Sequence, residues 1–371
     1  MTPAIPAPHG SNRPAPQAWR RAGSVTDLST ASSTDLSTAL SAGLSAECVR
    51  IAPPSTTDLS SQVVVQPTHA LLTRLELEVA RGLGTAVDSS RILGTSVVGV
   101  VASIGSNWLA SRAGDSAGLS VGSRVVVQPV HSCGACVRCT QGLALHCVRR
   151  TILGIDHAFG ALAETIVVDA LACTPLPSKL SEERAVFAVT LARAIEAVRR
   201  GGIAERSFVS VLGDDALAVL TTLVALESNP QARLVATHPA TLKVAEQFAI
   251  PHRALHEIGR RGDQEVVIDA NGSVESLEAA MQMVRPKGVV VSAGLSARTT
   301  VEVDLSLLAL DEIEILGSGF GPLVGALDRL SRGIVDPSPL VSRRVGFRDV
   351  SKALPLLADP SVQSVLVQVD R

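Results

Sequence analysis

Cys133-Gly134-Ala135-Cys136-Val137-Arg138-Cys139-Thr140-Gln141-Gly142-Leu143-Ala144-Leu145-His146-Cys147 gathers four of the chain's six cysteines into one short loop. In a reducing compartment such a cluster reads as metal ligation before disulfide pairing. Four thiolates spaced x2, x2 and x7 make a closed tetrahedral site, an arrangement that zinc accepts without a redox demand. Gly134 and Gly142 permit the bends. A closed site leaves no position for water or substrate, so it staples a lobe and performs no chemistry. The competing reading is four unconnected thiols in a surface loop, against which both count and spacing argue. His131 and His146 flank the loop as substitute ligands or bystanders.

Around the loop, from Cys48 to about Pro175, short β-rich runs are broken by Gly, Ser and Asp. Val63-Val64-Val65, Val97 to Val101 and Arg124 to Gln128 belong to this pattern. On the C-terminal side the rhythm changes. Glu182 to Arg200 reads as a helix, Ser207 to Gly213 as an apolar strand ending in Gly, and Asp214 to Ser228 as a helix. The strand Arg233 to Ala236 follows, then a helix from Pro239 to Ala249 with Pro at its start. Glu265 to Ala270 and Gly288 to Ala293 read as buried strands around the helix Val274 to Val284. Near-continuous apolar strands alternating with helices indicate a doubly wound parallel sheet. After Ile313 to Ser318 come helices near Leu323 to Arg332 and Val350 to Leu357. The last strand, Ser364 to Val369, is expected to return to the first domain.

Composition sets the outer limits. The 371 residues are 46% apolar and 18% charged, enough for a substantial core in about two domains. Aromatics are 2% with no Tyr, and net charge is −2 without a long basic run. Base stacking and phosphate binding are therefore poorly served, and nucleic acid is not an expected partner. No apolar run reaches the ~18 residues of a membrane span, and Met1 to Gly23 lacks the apolar stretch of a secretory signal. A cytoplasmic protein with no membrane partner is expected. Residues 1–45 read as a disordered low-complexity tail, with Thr26 to Thr30 repeated as Thr34 to Thr38. Leu36, Leu40 and Leu44 lie four apart, so a short helix docking on a protein partner is a second reading of that tail.

The order of a β-rich domain, a four-cysteine loop and a dinucleotide-type domain resembles the medium-chain dehydrogenase/reductase superfamily, in its zinc-containing alcohol dehydrogenase branch. Supporting segments are Leu77 to Gly82, Ile92-Leu93-Gly94, Gly122 to Val126, Gly154, Gly160 to Glu164 and Arg285 to Gly288. The resemblance runs from about Cys48 to the C-terminus. It implies a GroES-like β-rich domain over 46–178, completed by 320–371, and a Rossmann-type domain with a doubly wound parallel sheet over 179–319. It also implies a homodimer through the last Rossmann strand, near Ile313 to Ser318.

Members of this branch hold a catalytic zinc with a Cys, a His-Glu pair and a later Cys or Glu. The metal polarises an alcohol or carbonyl oxygen while a nicotinamide cofactor exchanges hydride. Laid on this chain, the first position is Thr73, the proton-relay Thr falls at Leu75, the Gly-His-Glu motif reads Gly94-Thr95-Ser96, and the later ligand falls at Val189. Neutral Thr, Ser and Val build no ordinary zinc site. His69, Glu76, Glu78, Asp156 and His157 are the nearest replacement donors, each more simply read as a surface or hydrogen-bonded residue.

The phosphate turn Gly-x-Gly-x-x-Gly reads Gly213-Asp214-Asp215-Ala216-Leu217-Ala218. Gly213 is kept and Ala218 is tolerated, but Asp215 adds bulk and charge where phosphates meet a helix N-terminus. The second strand ends at Thr237-His238, without an acidic residue for the ribose hydroxyls; His238 is at most a weak 2′-phosphate contact. The expected cofactors are thus a structural zinc on Cys133, Cys136, Cys139 and Cys147, with NAD(P) doubtful. Three functions are open: a family member that has lost catalytic zinc and hydride transfer and serves as scaffold or regulator, a zinc-independent NAD(P)H oxidoreductase like the quinone reductase branch, or, last in order, an active zinc alcohol or polyol dehydrogenase with a relocated site.

Overall fold

Trp19 is 5% exposed at the centre of strand β1 (Gln17–Arg21), which pairs antiparallel with β2 (Ala46–Arg50). Its indole N–H donates to the Phe347 carbonyl at 2.7 Å, and its ring meets Phe347 edge-on with centroids 6.3 Å apart. The Trp19 backbone continues the docking, donating to Leu162 O and accepting from Leu93 N. Residues 17–21 therefore depart from the expected tail. One indole offers enough apolar area to dock a short strand that the polar and Pro-rich surroundings hide. This computed structural model describes residues 16–21, 46–50, 62–83, 92–106, 118–156, 160–258, 262–297 and 305–369. The Leu36, Leu40 and Leu44 repeat lies outside the described residues.

The long strand β3 (Gln62–Leu72) runs straight into helix α1 (Arg74–Arg81). Strands β4 (Ser96–Ile104), β5 (Arg124–Val127), β6 (Val130–His131), β7 (Thr151–Ile152), β8 (Ile166–Asp169) and β9 (Cys173–Pro175) follow. β3 pairs antiparallel with β4 and β8, β4 with β5, and β5 with β9. Their inward Val63, Val65, Val97, Val101, Val125 and Val127 pack one core with Ile166 and Val168. β-branched residues suit a pleated, half-buried surface, which is why this valine-rich stretch folds as sheet.

Helix α2 (Ala188–Gly201) then leads to β10 (Val209–Leu212), α3 (Ala216–Ser228), β11 (Arg233–Ala236), α4 (Pro239–Gln247), β12 (His252–Ala254) and β13 (Gln264–Asp269). Next come α5 (Val274–Met283), β14 (Val284–Ser292), α6 (Leu305–Leu310), β15 (Glu314–Gly317) and α7 (Leu323–Ser331). The six strands form one wholly parallel sheet in the order β12-β11-β10-β13-β14-β15. All four β10 residues are buried, as the continuous apolar run requires of a strand covered on both faces. The fold class is thus mixed α/β, a GroES-like β domain with a Rossmann-like parallel sheet. The expected helix over 182–200 is interrupted: a turn at Glu182–Ala185 precedes α2.

The chain finishes with β16 (Arg343–Gly346) and β17 (Val365–Gln368). β17 inserts between β16 and β3, with Val365 opposite Leu72. Two features of this topology position a cleft. The strand order reverses between β10 and β13, so a crevice opens beyond their C-terminal ends, at Gly213 and Ala270. The β3–α1 junction faces it: the Glu78 carboxylate accepts the Ala297 N–H at 2.9 Å, tying α1 to the loop after β14. Among the described residues no helix is long and apolar enough to cross a membrane.

Candidate functional site

The four loop cysteines converge as the spacing predicts. Cys133 Sγ lies 3.5 Å from Cys147 Sγ, Cys136 Sγ lies 3.5 Å from Cys139 Sγ and 3.8 Å from Cys147 Sγ, and all four fall within 4.8 Å of one another. A tetrahedron of Zn–S bonds about 2.3 Å long has edges of about 3.8 Å, so the quartet fits a structural zinc. The loop backbone prepares the sulfurs. The N–H groups of Cys133 and Arg149 donate to Cys147 Sγ at 3.4 and 3.3 Å. The Ala135 N–H, then the Arg149 side chain, hold the Cys133 thiol down at about 5. Desolvation, with Cys136 and Cys147 beside it, pushes Cys139 up to about 11, so a metal has to displace the Cys139 proton. His146 is exposed, and the quartet is complete without it.

Thr73, Thr95 and Ser96, the residues at the expected catalytic-zinc positions, are all buried. Thr73 is the N-cap of α1, and Glu76 closes a reciprocal capping box with it. Glu76, 1% exposed, is the hub. Its Oε2 accepts the Thr73 N–H and hydroxyl, each at 2.8 Å, and its Oε1 accepts the Thr95 N–H at 3.1 Å and the Thr95 hydroxyl at 2.5 Å. Gly94 holds Thr95 in register. Its φ is +101°, and a Cβ on neighbouring Gly154 would strike the Gly94 carbonyl oxygen. Val189 contributes only packing, within the large apolar core of the Rossmann-like sheet.

This donor set does not fit a catalytic zinc. It holds one carboxylate, whose four acceptor positions are already used, and neither thiolate nor imidazole. The other candidate donors are dispersed. His69 pairs with Glu182 at 3.2 Å, Glu78 with Arg81 at 2.7 Å, and Asp156 accepts from the Ile152 N–H. His157 lies outside the described residues. Among the described residues, the cysteine quartet is the one group of three or more His, Cys, Asp or Glu close enough to share an ion.

The phosphate turn is built from the chain's own carboxylates. Gly213 is required because a Cβ there would sit 2.6 Å from the Ala218 Cβ. Asp215, 7% exposed, caps α3 by accepting the Ala218 N–H at 3.0 Å, a donor that a phosphate would otherwise use. Asp214 does not cap this helix. Its carboxylate crosses to the end of β11, accepting the Thr237 N–H at 2.9 Å, the Thr237 hydroxyl at 2.5 Å and the His238 N–H at 2.8 Å. The His238 ring accepts the Ala240 N–H at 3.2 Å and so caps α4. Burial raises the Asp215 carboxyl above its usual range, against the pull of Arg74, the Ala218 N–H and Arg193.

Arg193 is the residue that reading the sequence did not single out. It is buried on α2, 5% exposed, and burial pulls its guanidinium below its usual value against the fields of Asp215 and Glu76. Its Nη2 donates to the Ala293 carbonyl at 3.0 Å, and its guanidinium carbon stands 5.7 Å from the Phe320 ring centre. A single charge in the otherwise uncharged run Ala188 to Ala194 was the available signal.

Residues 60–178 match the alcohol dehydrogenase GroES-like domain family. The chain is similar to an uncharacterized zinc-type alcohol dehydrogenase-like protein of Haemophilus influenzae, 25% identical over 311 residues, covering 81% of this chain and 88% of that one. It is also 25% identical to the L-idonate 5-dehydrogenase (NAD(P)(+)) of Escherichia coli, over 69% of this chain and 78% of that one. Among solved structures, a short chain alcohol dehydrogenase of Escherichia coli complexed with NADH superposes with a TM-score of 0.71. It is 22% identical, covering 87% of this chain and 95% of that one. With the two-sheet topology and the cysteine quartet, these likenesses place an alcohol dehydrogenase GroES-like domain at residues 60–178 and support the medium-chain dehydrogenase/reductase superfamily for the chain.

Proposed function

We propose that this chain is a zinc alcohol dehydrogenase-like protein that carries a structural zinc but performs no zinc-dependent hydride transfer, and that it serves as a scaffold or regulatory subunit. The observation that carries this reading is the closed hydrogen-bond set of Glu76 with Thr73 and Thr95 at the metal positions. A metal ion entering there would have to break four buried hydrogen bonds and would gain only one carboxylate ligand. The phosphate turn supports the same reading, because Asp215 occupies the Ala218 N–H at the start of α3 and Asp214 places a second carboxylate between that turn and the end of β11. The two family activities thus lose their binding groups at two separate places in one cleft.

The second reading is a zinc-independent NAD(P)H oxidoreductase. It is favoured by the likeness to a structure complexed with NADH and by the crevice that remains at the strand-order reversal. We further propose a homodimer through β15, the edge strand, where Glu314, Ile315 and Gly317 are exposed. Four thiolates on zinc require a reducing compartment, so the cytoplasm is the proposed location.

The test is an assay of zinc-replete protein against secondary alcohols and polyols with NAD⁺ and NADP⁺, and against quinones with NADH and NADPH. No turnover is expected. Zinc-dependent alcohol oxidation would overturn the proposal, and quinone reduction would establish the second reading.

A further inference from the structure

Arg193 has a deficit that no side chain fills. Its Nη2 donates to the Ala293 carbonyl at 3.0 Å, but its Nε is buried without any partner. Among the described residues no carboxylate forms an ion pair with it; Asp215 and Glu76 act on it through their fields alone. Glu76 spends both oxygens on Thr73 and Thr95. Asp215 spends Oδ1 on the Ala218 N–H, and its carboxylate keeps acceptor capacity beyond that bond. A buried N–H donor and a buried carboxylate that line one cavity without bonding to each other are costly unless something between them serves both.

That cavity has Arg74, Arg193, Asp215 and Asn271 on its polar side and Leu75 and Leu295 on its apolar side. The centre of a water-sized sphere has about 10 Å³ to move in, room for about one water molecule. The charges of the lining select the occupant. Asp215 opposes an anion, and the guanidinium groups of Arg74 and Arg193 oppose a cation, so a neutral dipole fits best. A water finds the partners it needs: Arg193 Nε donates to it and Asp215 accepts from it, with Arg74 and Asn271 as further donors. The walls are tied to each other. Leu295 packs against the apolar cluster of Leu75, Leu77 and Val79, and Glu78 accepts the Ala297 N–H at 2.9 Å.

We propose that this cavity is the site of one ordered water molecule that bridges Arg193 Nε to the Asp215 carboxylate. The water joins α2 to the start of α3 through two charged side chains that make no direct bond, and Arg74 brings the β3–α1 junction to the same point. The inference goes beyond the proposed function, because it concerns the free protein and holds whether or not a nucleotide displaces the water.

The test is a crystal structure of the full-length, zinc-replete protein, grown in bromide, at a resolution that orders single waters. One peak is expected within about 3.2 Å of both Arg193 Nε and an Asp215 oxygen, the reach of a hydrogen bond, with no anomalous signal from bromide. The same experiment on Arg193→Met, which removes the donor and keeps an apolar chain of similar length, should lose the peak. Should Arg193→Met fail to fold, the wild-type crystal decides by itself. A direct Arg193–Asp215 ion pair with no peak between the two side chains overturns the proposal, because the deficit would then be filled without a ligand. Bromide at the position also overturns it, as the mark of an anion site. A peak that persists unchanged in Arg193→Met overturns it as well, because the arginine would not be what holds the water.

Discussion

Thr95 donates both its backbone N–H and its hydroxyl to one oxygen of Glu76, at 3.1 and 2.5 Å, with both side chains essentially inaccessible to water. The other oxygen of Glu76 takes the same two groups from Thr73. The junction between β3 and α1 and the start of β4 are therefore fastened through one carboxylate. Two of the positions at which the family resemblance would put metal ligands thus form a structural knot.

Glu76→Ala should destabilise the protein by at least about 3 kcal/mol, because two backbone N–H groups and two hydroxyls lose their acceptor at about 1–3 kcal/mol per unsatisfied group. Glu76→Gln, which keeps one acceptor oxygen, should cost less. Urea unfolding at neutral pH measures both. Equal stability of Glu76→Ala and wild type would mean that the hydrogen-bond set contributes nothing.

Removal of zinc from the cysteine quartet should lower the melting temperature by at least about 5 °C, the shift that roughly 2 kcal/mol produces in a domain of this order. Cys147, the most buried of the four, accepts two backbone N–H bonds, so Cys147→Ser should lose the metal. Elemental analysis should find one zinc per chain in wild type and none in the variant. Two zinc ions per chain would contradict the reading of the Glu76 site.

Asp269 gives the pH dependence a defined sign. It is buried at the end of β13. Its Oδ1 accepts the N–H groups of Asn271 and Gly272, each at 3.1 Å, and its Oδ2 has no hydrogen-bond partner. Burial raises its carboxyl above the usual range, with the Gly272 N–H, Ser276 and the Asn271 N–H opposing in part. A raised carboxyl stabilises the fold fully below the unfolded value of about 3.9 and loses that contribution as pH rises through the folded value. Asp269→Asn lacks this loss. Its stability relative to wild type should increase between pH 4 and pH 7 by urea titration; a constant difference would show that Asp269 titrates normally.

Trp19→Ala should cost about 3–5 kcal/mol, the usual range for truncating a buried aromatic, because it removes the Phe347 contact and the anchor of β1. Chemical denaturation measures it. A change below about 1 kcal/mol, the size expected of a surface site, would return residues 17–21 to the tail.

The parts of this structure that were legible in the sequence were those encoded by local pattern. The cysteine spacing brought four sulfurs together, the valine runs became strands, and the βα rhythm from Val209 to Ser292 became a parallel sheet. That Thr73, Thr95, Ser96 and Val189 offer neither thiolate, imidazole nor carboxylate is equally plain in the sequence. The contacts that shape the cleft could not be read there, because each joins residues far apart in the chain. Glu76 reaches Thr95 across a strand boundary, Asp214 reaches Thr237 on the adjacent strand, and Arg193 feels Asp215 from a different helix. Asp214 and Asp215 are neighbours in the sequence. Backbone direction separates them, so that one caps α3 and the other holds the loop after β11. Trp19 was hidden for a similar reason: a single indole inside a Pro- and Ser-rich stretch does not move its average composition.

The most direct measurement is calorimetric titration of purified, zinc-replete protein with NADPH and NADH. The account predicts no saturable binding of either up to millimolar cofactor, because Asp215 holds the Ala218 N–H of the phosphate turn and puts a carboxylate where phosphates would sit. Micromolar binding of either cofactor would contradict it and would make the cleft a working dinucleotide site.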